Sequence, residues 1–466
     1  MAQSNVTFQM LSLQKKKSQT IIITYHILNH MKNKIYLITI AALLCACNGK
    51  EDIALFPQVN NEYNPGKPTL LTDIEPKYGG INTPFIVKGN FGDSLSHMKV
   101  YFGKKYAVLT RTNGNTILGL VPKLSAGRHP ISVVCGNDSV TQDSVIFKYE
   151  QTKSVKTVAG AFGDDKYQDG DLNTARFKEV SNIATVKGTN SDNVIAVESW
   201  WNARVSLISP EDNNVVTLST SHSFGTPAVD NTREKFYLLS HWPEDRTIYS
   251  FSRAENYAEK NTGITIMKND MPGQIWSGAF RENDNQHLFL MDSQCNLCEV
   301  DLDNRTYKKI PLTGDMPNDF RDRAQFIYSK YHHCFFASFY QMSGIYRIYE
   351  DNNAQWHIEK YAGFNGAGTN TGHRLKDAQF IEPYGMTVTS DGDIYVINRA
   401  GAFISRISGD YVETVAGKPG RGGQVNSDTE PLDAQFNSPQ DIAADSEDNF
   451  YIAGGWDRTV RKLSIE

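Results

Sequence analysis

The sequence predicts an all-β protein, in which a small antiparallel sandwich is followed by a six-bladed β-propeller that is closed by its own N-terminal strand. Three observations support this fold class. Short alternating apolar runs fill residues 68–149, a four-strand pattern recurs from residue 153 onward, and long amphipathic helical patterns are hard to find. Alternation with a period of two residues is typical of half-buried strands.

The composition limits the function classes that the chain can serve. With 466 residues, the chain is longer than one ordinary domain. Its net charge is −5 and charged residues make up 21% of it, so no basic surface is available and we expect no nucleic-acid partner. Aromatic residues make up 11% and glycines number 35, which is typical of a β-rich extracytoplasmic protein.

Residues 31–46 have the pattern of a lipoprotein signal peptide. Two lysines precede an apolar stretch, residues 35–44, which is too short to span a bilayer and suits a secretory signal. It ends in LCAC (44–47), which resembles a bacterial lipobox. The resemblance implies that Cys47 is lipidated; an uncleaved anchor helix and an ordinary cleaved signal are the alternatives. Residues 1–30 precede this complete signal, and we assign them to an upstream start codon.

Residues 47–66 are predicted to be a polar linker. Directly after Cys47 the chain reads NGKED (48–52), which resembles the export signal of surface lipoproteins in Gram-negative glycan degraders. It predicts the cell surface, on the outer leaflet of the outer membrane, with membrane attachment through the lipid on Cys47.

The first folded module is predicted over residues 67–150. Its runs IEPKYGG, VKGNFG, VYFG and VPKLSAGRHPISV carry Gly and Pro at turn positions between alternating strands. Together these runs resemble the IPT/TIG immunoglobulin-like domain. The resemblance implies a spacer or rigid stalk, and the alternative is that the module itself binds a ligand.

A repeat occupies residues 151–466. Its signature is a Val-Ala-Gly strand, a Gly/Asp-rich loop and then A-x-F, as in VKTVAG (155–160) with ARF (175–177) and in VETVAG (412–417) with AQF (434–436). A third copy pairs EKYAG (359–363) with AQF (378–380), and a weaker AQF occurs at 324–326. Four short strands in roughly forty residues predict a propeller blade, and six such units can be aligned.

These motifs resemble the NHL repeat family, most clearly in units one, five and six. The resemblance implies a six-bladed propeller. The chain ends at the third strand of unit six, TVRKLSIE, whereas VKTVAG at 155–160 has the sequence of a fourth strand. We therefore expect the N-terminal strand to complete the last blade, which leaves no open sheet edge.

The candidate binding residues share one repeat position. Trp200 and Trp201 lie in ESWWNAR (198–204), which the alignment places in the turn between the second and third strands. That turn and the inter-blade loops on the same face carry the predicted ligand-binding residues Trp200, Trp201, Asn202, Trp242, Asp292, Gln294, Tyr340, Gln341, Tyr384, Arg399, Trp456 and Asp457, with Tyr167, Trp276 and Arg421 nearby. Because blades pack face to face, the alternative is that the tryptophans belong to the core.

Aromatic rings beside amide, carboxylate and guanidinium groups suit sugar binding. The C–H face of a pyranose stacks on an indole or phenol ring, and its hydroxyls meet planar polar groups. We therefore predict a non-catalytic, glycan-binding lipoprotein. The arrangement resembles the accessory glycan-binding proteins of starch-utilisation-like systems, which implies an outer-membrane transporter and other surface lipoproteins as partners.

Two alternative functions come from other classes. Some similar propellers are lyases or hydrolases, and Glu179, Glu382 and Arg323 are the candidate catalytic groups near the axis. No His recurs there, and His332-His333 is predicted to be an exposed turn. NHL-like propellers also bind polypeptides, so a protein-interaction platform is the second alternative.

No cofactor is predicted. An Asp-rich loop, GDDKYQDGD (163–171), leaves calcium as an alternative that no other feature supports. Cys295 and Cys298 have the spacing of metal ligands but lack a second pair, so they are interpreted as small buried residues at the start of a strand, with a local disulfide as the alternative.

Overall fold

The computed structural model describes residues 64–199, 203–242, 246–317, 323–339, 342–420 and 429–465, without the side chains of residues 241 and 242. Regular structure in these residues is β, apart from short 3-10 helices at Leu95–His97, Arg253–Glu255 and Pro431–Asp433. The all-β prediction is confirmed. In the same residues, no helix has the length and apolar character needed to cross a bilayer. The chain from Lys67 onward forms one compact unit.

The first module is a sandwich of two sheets. Its strands are β1 (Leu70–Glu75), β2 (Tyr78–Gly79), β3 (Pro84–Gly92), β4 (Met98–Phe102), β5 (Lys105–Tyr106), β6 (Val108–Thr112), β7 (Gly114–Leu120), β8 (Gly127–Cys135) and β9 (Asp138–Tyr149). One sheet has the order β1-β3-β7-β6 and the other β2-β9-β8-β4-β5. Alternate residues point inward, and the rings of Phe85, Phe102 and Phe147 pack edge to face between the sheets, with centroids 5.1 and 5.2 Å apart.

The second module consists of sheets that each run from an innermost to an outermost strand. The first three are β11 (Asn182–Val186), β12 (Asn193–Glu198), β13 (Arg204–Ser209) and β14 (Asn214–Ser219); then β15 (Ser223–Phe224), β16 (Ala228–Val229), β17 (Lys235–Trp242), β18 (Thr247–Ser252) and β19 (Lys260–Thr265); then β20 (Ile275–Phe280), β21 (His287–Asp292), β22 (Leu297–Asp301) and β23 (Thr306–Ile310).

The remaining sheets follow the same antiparallel order, and short additional strands join two of them. They are β25 (Ala324–Ser329), β26 (Cys334–Phe339), β27 (Gly344–Glu350) and β28 (Trp356–Gly363) with β24 (Leu312–Gly314); β30 (Pro383–Val388), β31 (Ile394–Asn398), β32 (Phe403–Ser408) and β33 (Tyr411–Ala416) with β29 (Gly372–His373); and β34 (Asp441–Ala444), β35 (Phe450–Ala453) and β36 (Thr459–Ile465) with β10 (Lys153–Gly160).

The sheets of the second module form a closed ring. Innermost strands contact one another in the order β11, β16, β20, β25, β30 and β34, and β34 contacts β11 again. Strand β10 pairs with β36 from Lys153 opposite Ile465 to Gly160 opposite Thr459. The N-terminal strand therefore supplies the outermost strand of the last sheet, as the sequence predicted, and the ring has no seam.

Neighbouring sheets pack on both faces of the strands, which explains their continuous apolar runs. All six side chains of β26 are buried, as are five of the six in β12. The core clusters alternate between sheets; one of them joins Phe289 of β21 to Phe335 of β26, with ring centroids 5.1 Å apart. A strand of this kind does not show the alternation that marks the sandwich.

The weak AQF at 324–326 is not equivalent to the other copies of A-x-F. Those at 175–177, 378–380 and 434–436 precede the innermost strand, whereas residues 324–326 lie inside β25. Ala324 and Phe326 are buried as strand residues of the core cluster between two sheets. The same three letters therefore have different structural roles, because the loop that leads into β25 has another sequence.

Replacing Val155 tests the closure of the ring. Val155 lies in β10, is fully buried, and belongs to a core cluster with Phe450 and Leu463. We expect Val155→Ala to lower the free energy of unfolding by about 2 kcal/mol, because it leaves a cavity. Lys156→Ala, at an exposed position of the same strand, should change it by less than about 0.5 kcal/mol. Equal stabilities of the two variants in urea denaturation would contradict closure by β10.

Candidate functional site

One face of the propeller gathers the turns between second and third strands and the loops that lead into the innermost strands. Backbone hydrogen bonds join these segments: Arg399 N donates to Glu382 O (3.1 Å), and Gly455 N donates to Val180 O (2.9 Å). We call this surface the loop face. In the described residues it consists of turns 292–296, 398–402 and 454–458 and loops 161–180, 266–274, 364–382 and 429–440.

Several predicted residues of this face lie outside the described part of the chain. These are Trp200, Trp201, Asn202, Tyr340 and Gln341, together with Arg421 and the side chain of Trp242. The lipidation site, Cys47, also lies outside it. The ligand-binding role of these residues and the lipidation of Cys47 stay predictions.

Three aromatic side chains are exposed on the loop face. Trp456, in a second-to-third-strand turn, is 61% exposed, and Phe162 and Tyr167, in loop 161–180, are 46% and 43% exposed. The turn and the loop are joined by an ion pair between Arg458 and Asp165 (3.7 Å). The ammonium group of Lys178 lies 4.6 Å from the centroid of the Tyr167 ring, and the guanidinium carbon of Arg204 lies 5.2 Å from it. The exposed aromatic rings of the turn and the loop therefore belong to one connected part of the surface.

Asp292, predicted to bind ligand, is instead a buried part of the scaffold. It is completely buried, and its carboxylate accepts hydrogen bonds from the backbone N–H groups of Gly273 (2.9 Å) and Asn296 (2.8 Å). Glu198 and Asn398 occupy the equivalent position in two other sheets. Glu198 accepts a hydrogen bond from Lys178 N (2.6 Å), and Asn398 accepts one from Ile381 N (2.9 Å). An acceptor at the end of the second strand thus ties down the loop that leads into the innermost strand. The neighbouring Gln294 is exposed.

Arginines hold two of the three loop copies of the A-x-F motif in place. Arg204 donates to the carbonyl oxygen of the middle residue of ARF, Arg176 (2.9 Å), and Arg461 donates to that of AQF, Gln435 (2.7 Å). Each guanidinium also lies over the Phe of its motif, 5.6 Å from the centroid in the first copy and 4.9 Å in the second. The Ala and Phe side chains are fully buried. The motif is therefore a structural anchor of the loop face.

Asp457 is also withdrawn from the surface. It is completely buried beside the exposed Trp456. Burial raises its pKa to about 8, against the opposing effects of a hydrogen bond from the backbone of Asn437 and of the charge of Arg461. The structure therefore places Asp457 in the interior and not at the surface of the loop face, where the sequence predicted a ligand contact.

Arg323 lies at the centre of the loop face, where the innermost strands begin. Its guanidinium carbon is 4.2 Å from the ring centroid of Tyr384 and 4.8 Å from that of Trp276. The side chain is only 2% exposed, and it donates to Asn182 Oδ1. Burial raises the pKa of the neighbouring Asp441 to about 6, and the charge of Arg323 opposes this shift. Tyr384, a predicted ligand-binding residue, is thus half-buried in a central cationic and aromatic cluster.

Four polar residues below Arg323 close the axis of the ring at this end. Thr226 lies within hydrogen-bonding distance of Asn182 Oδ1 (3.1 Å), Gln325 Oε1 (3.2 Å) and Asp441 Oδ2 (3.3 Å). The sequence did not predict these residues as a group. The signal that could have found them is a polar residue at the start of the innermost strand, amid apolar neighbours.

An axial cavity of about 280 Å³ begins beneath this group and opens at the opposite face of the propeller. Side chains from the innermost strands line it, including Thr185 and Thr387, and Arg233 and Lys330 stand at its mouth. Thr226 and Gln325 belong to the buried polar group and also line the inner end of the cavity. The polar group therefore separates the cavity from the loop face, and the two are distinct sites.

The candidate catalytic acids are paired with neighbouring side chains. Glu382 forms an ion pair with Arg399 (3.2 Å), and Glu179 accepts a hydrogen bond from Gln440 (2.7 Å). His332 differs from expectation: it is half-buried, contacts Ser329 Oγ (2.8 Å), and has its pKa lowered chiefly by burial.

The carboxylates of the Asp-rich loop, residues 163–171, form hydrogen bonds with other groups of the protein. Those of Asp164, Asp169 and Asp171 accept hydrogen bonds from Arg176, Thr217 and Thr174, respectively. Among the described residues, no three His, Cys, Asp or Glu side chains are grouped closely enough to hold a metal ion. Cys295 and Cys298 are buried free thiols, and burial raises the pKa of each to about 12.

The buried Asp457 predicts a dependence of stability on pH. Because its pKa is about 8 when folded and 3.8 as an ordinary carboxyl, its favourable contribution is present below about pH 4 and is lost as the pH rises toward 8. We expect Asp457→Asn to be more stable than the unmodified protein at pH 8 and equally stable at pH 4 in urea denaturation. Asp212→Asn, at an exposed position, is the control. A constant difference at every pH would refute the assignment.

Comparison with known proteins agrees with this architecture. Residues 68–149 match the IPT/TIG domain family, which confirms the resemblance of the first module. No curated protein matches the sequence. Two solved structures are described as auxiliary nutrient binding proteins. One, from Bacteroides thetaiotaomicron, has 19% identity and a TM-score of 0.56 over 87% of this chain and 99% of that chain. The other, from Bacteroides ovatus, has 18% identity and a TM-score of 0.58 over 87% and 100%.

Those two likenesses show a shared fold. A nearer relative is a protein of unknown function from Bacteroides thetaiotaomicron, whose crystal structure has 30% sequence identity and a TM-score of 0.76, over 87% of this chain and 100% of that chain. The two sequences thus share both the order of modules and nearly a third of their residues over almost the whole compact unit. The chain belongs to the same family as this Bacteroides thetaiotaomicron protein.

Proposed function

We propose that the protein is a non-catalytic, lipid-anchored surface protein that binds polysaccharide or oligosaccharide through the loop face. The observation that carries the proposal is the exposure of Trp456 (61%) and Tyr167 (43%) on connected segments of that face. A contiguous exposed apolar patch that is rimmed by polar residues marks an interaction site. An indole or phenol ring offers a flat apolar area for the C–H face of a sugar.

Polar groups on the same face can meet the hydroxyls of a bound sugar. Gln294 is exposed in its turn, and Arg399 is held by its ion pair with Glu382 (3.2 Å). Arg399 also lies over the ring of Tyr384, 5.3 Å from the centroid. Side chains that are already held by neighbours lose little conformational freedom when a ligand binds.

The fold similarity favours a role in nutrient capture. Two proteins of this fold are named auxiliary nutrient binding proteins, and the lipobox at Cys47 would place this chain on the outer membrane. There it would hold glycan beside an outer-membrane transporter and other surface lipoproteins. One aromatic stack contributes on the order of 1 kcal/mol, so display of many copies on the cell surface would raise the avidity.

A binding role explains the acidic residues better than catalysis does. Glu382 and Glu179 are engaged with Arg399 and Gln440, and Asp292 is used by backbone N–H groups. A carboxylate in such a pair is held for structure or positioning. The proposal therefore assigns no reaction to the loop face.

Removing the exposed indole tests the binding face. We expect Trp456→Ala to weaken binding to the recognised polysaccharide by about fivefold, because one stacking contact of about 1 kcal/mol is lost. Affinity electrophoresis or calorimetry against a panel of plant, fungal and host glycans measures this, with the melting temperature unchanged. Tyr411→Ala, 68% exposed on the outermost strand β33, is the matched control.

The same assay addresses the predicted residues outside the described part of the chain. Trp200→Ala, Trp201→Ala and Trp242→Ala should lose glycan binding without loss of stability if these rings face the ligand. If no glycan on the panel is bound, or if Trp456→Ala binds as tightly as Tyr411→Ala, the loop face is not a glycan site and a protein-interaction surface becomes the better interpretation.

The lipid anchor is tested separately. We expect Cys47→Ala to abolish labelling by a radioactive fatty acid and to move the protein from the membrane fraction to the soluble fraction, because the acylated residue is lost. Cys45→Ser, two residues earlier in the same lipobox, is the control and should remain membrane-bound. Membrane attachment of the Cys47→Ala protein would show that another segment holds it.

A further inference from the structure

A cleft of about 430 Å³ lies between the sandwich and the propeller, at the face opposite the loop face. Lys104, Lys105 and Tyr106 of the sandwich line one wall, and Ser390 and Asp448 of the propeller line the other. The two propeller residues lie in turns between first and second strands, which are at the far end of the sheets from the loop face.

The walls of the cleft are held together by Lys123. Its Nζ donates to the carbonyl oxygen of Glu447 (2.5 Å) and to Asn449 Oδ1 (2.9 Å). Asn449 Oδ1 also accepts a hydrogen bond from Ile465 N (3.3 Å) in β36, the strand that β10 completes. The sandwich is thus tied to the sheet that closes the ring, so the cleft is a defined feature of the compact unit.

A tight hairpin presents an aromatic ring to the cleft. Strands β4 and β5 pair with Phe102 opposite Lys105 and Tyr101 opposite Tyr106. The two-residue turn between them needs the left-handed conformation of Gly103 (φ 60°). Tyr106 is 65% exposed, and its ring packs edge to face on Tyr101, with centroids 6.3 Å apart. The ring is therefore held in place while one side of it meets solvent.

The sandwich wall carries positive charge that the protein does not neutralise. Lys104 and Lys105 are exposed, and no carboxylate of the described residues forms an ion pair with either. Lys105 is close enough to Lys123 to add to the lowering of its pKa, which burial dominates. The chain as a whole has a net charge of −5, so this group of lysines is a local exception.

The propeller wall supplies hydroxyl and carboxylate groups. Asp448 accepts hydrogen bonds from the N–H of Ser390 (3.0 Å) and from its hydroxyl (2.6 Å). Glu447 and Asp448 make this wall acidic, so the anionic groups of a ligand would be repelled from it and attracted to the lysines of the opposite wall. A ligand with anionic groups and many hydroxyls matches both walls.

We propose that this cleft is a second binding site, which takes saccharides that carry carboxylate or sulfate groups. Tyr106 would stack on the sugar ring, and Lys104 and Lys105 would bind the anionic substituents through charge-assisted hydrogen bonds. The proposal rests on the glycan-binding function and adds the chemical class of the ligand. It also gives the sandwich a role in binding beyond that of a spacer.

Calorimetry with three polysaccharides tests the site: polygalacturonate, dextran sulfate and uncharged dextran. We expect the protein to bind at least one acidic polysaccharide more tightly than dextran, and Lys104→Ala/Lys105→Ala to weaken that binding about tenfold. Tyr106→Ala should weaken it as well. The comparison of polygalacturonate with dextran sulfate identifies whether carboxylate or sulfate is preferred.

The double variant Lys156→Ala/Lys309→Ala removes the same charge from exposed positions outside the cleft and outside the loop face and is the control. Equal affinity of the two double variants for the acidic polysaccharide overturns the proposal. So does a protein that binds only neutral glycans, through Trp456, which would leave the function of the loop face intact. Binding of no polysaccharide at all overturns both.

Discussion

The pairing of β10 with β36 is the interaction on which the rest of the propeller depends. It joins the first strand of the ring to the last through a register that runs from Lys153–Ile465 to Gly160–Thr459. An open ring would expose the backbone groups of an edge strand and the apolar face of the last sheet. Because β10 follows directly after the sandwich, the same pairing also positions the first module, and Lys123 reinforces that position through Asn449.

Three sheets of the ring use the same device for their loops. An acceptor at the end of the second strand binds the backbone of the loop that leads into the innermost strand, and in two sheets an arginine binds the A-x-F motif in that loop. Two carboxylates that could otherwise bind a sugar, those of Glu198 and Asp292, accept these backbone hydrogen bonds instead. The loop face therefore presents aromatic, amide and guanidinium groups together with exposed acids such as Asp165, while Glu198, Asp292 and Asp457 lie beneath it.

The two proposed binding surfaces lie at opposite ends of the propeller. On the loop face, Trp456 and Tyr167 are exposed on segments that the framework fixes. On the other side, the cleft combines the Tyr106 ring with unpaired lysines. Two weak sites on one chain would hold a long polysaccharide more tightly than either site alone, provided that the polymer can reach both.

The sequence by itself determined the fold class, the order of the modules, the closing strand and the IPT/TIG domain, because strand alternation, turn residues and a repeat of roughly forty residues are local patterns. It could not tell which polar side chains are exposed. Asp292, Asp457 and Gln294 look alike as candidates in a turn, yet two are buried and one is exposed. It also could not show the group around Arg323 and Thr226, or the cleft beside Tyr106, because residues far apart in the chain form them. Only tertiary packing decides such contacts. A polar side chain can be buried where the fold brings a hydrogen-bond partner to it, and that partner can be a backbone group far away in the sequence.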